Sequence, residues 1–119
     1  MKCAITATGP DIDSAVDSRF GRAEHFVVCS TDDDTLEVVD NKQNYNAPQG
    51  AGIQSAQNIA AHSVDAVITG HCGPKAFKAL HAAGIKIFTG ASGTVAQARE
   101  KLKKGELHEI DGADVDGHW

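Results

Sequence analysis

The chain has 119 residues, 41% hydrophobic and 23% charged, a balance that suits one soluble globular domain and excludes collagen, coiled coil and disorder. No apolar stretch approaches the ~20 residues of a membrane span, and the opening Met1-Lys2-Cys3-Ala4-Ile5-Thr6 is too short and too polar for a signal peptide, so the expected address is cytoplasmic. The net charge is −5, but Glu109, Asp111, Asp114 and Asp116 crowd the C-terminus; the rest is nearly neutral, which excludes a basic nucleic-acid footprint.

Residues 2–8 read as a first strand, ended by Gly9-Pro10. Residues 11–23 show no sustained period and read as a loop. Two β-type runs follow at 24–30 and 35–41, joined by Thr31-Asp32-Asp33-Asp34 in a hairpin. Residues 41–52 form a long polar loop of the length that is usually functional. From Gly52 the pattern turns helical, with Ile53, Ala56, Ile59 and Ala60 in one stripe that ends near Ser63. Ala66-Val67-Ile68-Thr69 is a short buried strand. Pro74 suits the first position of a helix; Phe77, Leu80 and Ala83 line its inner face and Gly84 stops it. Residues 85–89 give another strand. Thr94 and Gln97 are spaced as a capping box, opening a helix with Val95, Ala98 and Leu102 inward that ends at Gly105. Residues 107–110 add a short edge strand. An antiparallel meander therefore precedes a parallel strand–helix–strand–helix unit. The class is α/β, a mixed sheet of about five strands with helices on its faces. One domain is expected over residues 1–110, with an acidic, mobile tail over 111–119.

Three segments share one local design, a glycine-containing loop entering a helix: Gln49-Gly50-Ala51-Gly52-Ile53-Gln54, Thr69-Gly70-His71-Cys72-Gly73-Pro74 and Thr89-Gly90-Ala91-Ser92-Gly93-Thr94. Two follow a parallel strand directly, at the sheet edge where open α/β proteins bind ligands. Helix starts carry unpaired N–H groups and partial positive charge, which attract anions. The plainer alternative is that the glycines only make tight turns. Ser18-Arg19-Phe20-Gly21-Arg22-Ala23 offers two guanidinium groups for an anionic ligand, or a solvated surface loop. His71 and Cys72 offer an imidazole and a thiol for a soft metal such as Cu(I) or Zn.

Other chemistries lack their residues. The Gly50-Ala51-Gly52 run follows no strand and fails the dinucleotide fingerprint, no Walker lysine follows any glycine loop, and of the carboxylates a nuclease needs at strand ends the first strand carries none while Asp65 begins its strand. Cys3, Cys29 and Cys72 match no zinc or iron–sulfur spacing; Cys3 and Cys29 lie in apolar runs and are expected to be small buried hydrophobes.

The runs Ser18-Arg19-Phe20-Gly21-Arg22-Ala23, Gly50-Ala51-Gly52-Ile53-Gln54-Ser55-Ala56, Ile68-Thr69-Gly70-His71-Cys72-Gly73-Pro74-Lys75-Ala76-Phe77 and Gly90-Ala91-Ser92-Gly93-Thr94-Val95, in that order, resemble the dinitrogenase iron–molybdenum cofactor biosynthesis family. The resemblance covers nearly the whole chain apart from the tail. It implies a ribonuclease-H-like three-layer fold without nuclease activity, and non-enzymatic carriage of a metal–sulfur cluster. The stand-alone length is similar to that of a family member with a mixed molybdenum–copper sulfide cluster, so the implied cargo is that cluster or a related Mo/Fe–S cluster, held non-covalently. Protein partners in cluster assembly or regulation are implied too. The implied binding residues are Arg19, Arg22, Gly50, Ala51, Gly52, Gln54, Gly70, His71, Cys72, Gly73, Gly90, Ala91, Ser92, Gly93 and Thr94, with His71 and Cys72 as metal contacts. Two other readings use the same residues: a small enzyme on an anionic metabolite with His71 as acid/base, and a regulatory protein–protein adaptor.

Overall fold

A computed structural model describes residues 1–33, 35–41 and 51–111. The first strand, β1 (Lys2–Ala7), is buried at every position from Cys3 to Ala7, as expected of a strand with covered neighbours and helices on both faces. It pairs antiparallel with β2 (His25–Ser30), which pairs antiparallel with β3 (Leu36–Asp40) at one edge. On its other side β1 runs parallel to β4 (Ala66–Ile68), and β4 runs parallel to β5 (Lys86–Thr89). A two-residue β6 (His108–Glu109) closes that side antiparallel to β5. The sheet has six strands, in the order β3-β2-β1-β4-β5-β6, where the sequence indicated about five; the short edge strand is the sixth.

Side-chain alternation assigns the helices to layers. Ala4, Phe26, Val28, Val67 and Ile87 face a core shared with α1 (Ala51–Ala60) and α2 (Pro74–Ala82), through Ala56, Ile59, Ala76 and Leu80. Cys3, Ile5, Val27, Cys29 and Ile68 face the opposite core, closed by Val95 and Ala98 of α3 (Val95–Lys103). The architecture is a three-layer α/β sandwich. No helix among the described residues is long and apolar enough to cross a membrane. The predicted tail falls, except for Asp111, outside the described residues.

Candidate functional site

Strands β1, β4 and β5 are parallel, so their carboxyl ends share one edge of the sheet. The pairing direction reverses at β1, the kind of switch point where a crevice opens above a sheet. The segment after β1 crosses this edge of the sheet instead of leaving it. The Asp17 N–H donates to the Thr6 carbonyl at 2.9 Å, and the Thr6 hydroxyl donates to the Asp17 carbonyl at 2.7 Å. Next comes a parallel bridge between Arg19 and His71. There the His71 N–H donates to the Ser18 carbonyl at 2.8 Å and the Phe20 N–H donates to the His71 carbonyl at 3.2 Å. The third loop joins the second: the Gly90 N–H donates to the Gly70 carbonyl at 2.9 Å, and the Val16 N–H donates to the Gly93 carbonyl at 2.8 Å. Residues 11–23, which look structureless in sequence, stitch the loops into one surface.

Close backbone approach explains two glycine positions. A Cβ on Gly70 would stand 2.7 Å from the Ser18 Cα and 2.8 Å from its carbonyl oxygen. One on Gly21 would stand 2.9 Å from the Gly52 nitrogen, and Gly52 in turn lies against Ala76 in the first turn of α2. The beginnings of α1 and α2 therefore sit together, both against the arginine-bearing segment. Gly70 and Gly21 serve the packing of backbone on backbone within the chain. Gly50 lies outside the described residues.

A buried polar cluster, which the sequence reading did not single out, fixes this arrangement. Asn41 Nδ2 donates to the Ala23 carbonyl at 2.8 Å and to Ser55 Oγ at 3.0 Å, and Ser55 Oγ reaches the Gly21 carbonyl at 3.4 Å. Asn41 looks like the first residue of a polar loop, and Ser55 interrupts an alanine-rich stripe; only their shared burial reveals them. Replacing Asn41 by alanine strands buried partners, so unfolding free energy is expected to fall by about 1–3 kcal/mol, read from urea denaturation.

The helix starts differ in what they leave open. The α3 tip is spent internally: Thr94 and Gln97 complete the predicted capping box, and the Val95 and Ala96 N–H groups donate to the Ser14 and Ile12 carbonyls, both at 2.9 Å. By contrast α2 begins at Gly73 with Pro74 at its first position and no side-chain cap. None of the three helices carries an acidic residue in its first turn. Positive end charge at this edge is therefore not neutralised from within those turns.

Exposure divides the predicted residues. Arg19, Gln54, His71, Gly90, Ser92 and Gly93 are exposed; Arg22, Gly52 and Thr94 are half-buried; Ala51, Gly70, Cys72, Gly73 and Ala91 are buried. The Arg19 Nε lies 3.8 Å from an Asp17 carboxylate oxygen and its side chain is 49% exposed. Adjacent His71 and Cys72 separate sharply. His71 faces solvent, while Cys72 is fully buried in the core with Phe20, Ala76 and Leu80, its thiol 3.6 Å from the Gly73 carbonyl. Among the described residues no three His, Cys, Asp or Glu side chains come together as a set that could hold a metal ion.

Known proteins share this fold. The family model described as dinitrogenase iron-molybdenum cofactor matches residues 1–105. The apo form of the orange protein from Desulfovibrio gigas superposes with a TM-score of 0.93 at 41% identity, covering 96% of each chain. A Thermotoga protein described as a candidate NifB protein superposes with a TM-score of 0.84 at 34% identity over 98% of each chain. An uncharacterised protein of Methanocaldococcus jannaschii is 25% identical over 114 residues, 93% of this chain and 92% of its own.

Proposed function

The chain belongs to the dinitrogenase iron–molybdenum cofactor family, and from that premise we propose that it binds and carries a preassembled, anionic molybdenum-containing metal–sulfur cluster without catalysing a reaction on it. The observation that carries the reading is the Arg19–His71 bridge. It sets an exposed guanidinium-bearing residue and an exposed imidazole-bearing residue on neighbouring backbone at the carboxyl edge, next to the uncapped start of α2.

A cluster that brings its own sulfide ligands needs hydrogen-bond donors and cations more than protein thiolates. The chain's chemistry fits that demand. Arg19 and Arg22 supply charge, the first turn of α2 supplies N–H groups, and Gln54 supplies an amide. The loop of Gly90, Ala91, Ser92 and Gly93 forms the rim, backed by the capped Thr94. His71 offers one imidazole to a soft metal such as copper, the finer cargo being the molybdenum–copper sulfide cluster that the family resemblance implies. Cys72 is buried in the core with Phe20, Ala76 and Leu80, and Ala51 and Gly52 lie against Gly21, next to Arg22.

The test is anaerobic mixing of the reduced protein with tetrathiomolybdate and Cu(I), followed by gel filtration. Coloured protein carrying molybdenum and sulfide is expected, and the His71→Ala variant is expected to shift the absorption band while molybdenum stays bound. Protein that elutes colourless and free of molybdenum overturns the proposal.

A further inference from the structure

On the sheet face turned away from Cys72, Cys3 of β1 and Cys29 of β2 are direct cross-strand partners with sulfurs 3.6 Å apart. We propose that these two residues are a dithiol–disulfide couple, oxidised by a small peroxide that reaches Cys29 from the adjacent surface hollow. The hollow encloses about 380 Å³ and is lined by Lys2, Cys29, Ser30, Asp33 and Leu36 among others. Cys29 belongs to its wall, and Cys3 lies behind it with no exposed surface.

The two sulfurs are not equivalent. The hydrogen bond from Cys3 holds the Cys29 thiol below the usual range, helped by the positive charge of Arg99, whose Nε donates to the Ser30 carbonyl at 2.8 Å. That same hydrogen bond, with burial, pushes the Cys3 thiol up. Cys29, which lines the hollow while Cys3 has no exposed surface, is accordingly the attacking thiolate and Cys3 the resolving group. The Cys29 sulfur attacks one peroxide oxygen, the O–O bond breaks, and hydroxide leaves to take up a proton as water. Cys3 then loses its proton and attacks the Cys29 sulfenic sulfur; the S–S bond forms, the S–O bond breaks, and a second water departs. Two thiols are oxidised by two electrons and one peroxide is reduced.

Geometry limits both the partner and the bond's strength. Cys72 lies across the sheet, so it cannot compete for either sulfur without crossing a layer. Opposed Cβ atoms on antiparallel strands stand slightly wider than a relaxed disulfide prefers, which makes the bond easily reduced.

The experiment treats the reduced full-length chain with one equivalent of hydrogen peroxide. Titratable thiols counted in denaturant are expected to fall from the three free cysteines to one, with a mass lower by two hydrogens. Peptide mapping should find Cys3 linked to Cys29, and dithiothreitol should restore the count. The Cys72→Ser variant should undergo the same loss of two thiols. Retention of all three thiols, a link through Cys72, or Cys29 gaining oxygen while Cys3 stays free each overturn the proposal.

Discussion

Gly70→Ala is expected to lower unfolding free energy by about 1–3 kcal/mol and to abolish retention of a molybdenum–sulfur cluster. The added methyl would sit 2.7 Å from the Ser18 Cα and 2.8 Å from its carbonyl oxygen, and both are backbone atoms that no side-chain rotation can clear. One of the two segments must shift. Either movement breaks the pair of hydrogen bonds between His71 and the Ser18–Phe20 backbone, and with them the placement of Arg19. Gly84→Ala provides the control. Its φ of +76° imposes a left-handed penalty of about 1–2 kcal/mol, yet nothing lies within 4 Å of the new Cβ and the position is at the far end of α2. Thermal melts should report destabilised protein for both variants, whereas molybdenum retention should fail only for Gly70→Ala. If the Gly70 variant kept its cluster as well as the Gly84 variant does, the bridge would not be what organises the site.

The layers of this fold were legible because burial writes itself into periodicity. The apolar run of Ala66, Val67 and Ile68 marked an interior strand, and the Thr94–Gln97 spacing marked a helix start that the structure reproduces bond for bond. The carboxyl edge was legible for the same reason, since two glycine loops directly follow parallel strands. What escaped was pairing across distance. Residues 11–23 carry no period because their hydrogen bonds go to β1, to the second loop and to the start of α3, and no local pattern records such partners. Asn41 was hidden likewise: its amide satisfies carbonyls and hydroxyls brought together only by folding. The Ile12 and Ser14 carbonyls also occupy the α3 tip, so three loops of similar composition end with different accessibility.

Replacing Arg19 and Arg22 together by alanine should weaken cluster retention by about 1–3 kcal/mol, or roughly 5- to 150-fold. The two arginines should not contribute equally. Arg19, half exposed and near Asp17, works in water where salt screens it, so its single variant should lose less and lose it mainly at low ionic strength. Arg22 is half-buried beside Gly21 and Ala23, and its charge acts through less solvent. Lysine at either position keeps the charge but not the planar fork, and should recover only part of the affinity. Equilibrium dialysis of molybdenum against each variant, at two salt concentrations, separates these contributions. Equal retention by the double variant and the parent chain would remove the arginines from the cradle, and would leave the helix starts to supply its positive charge.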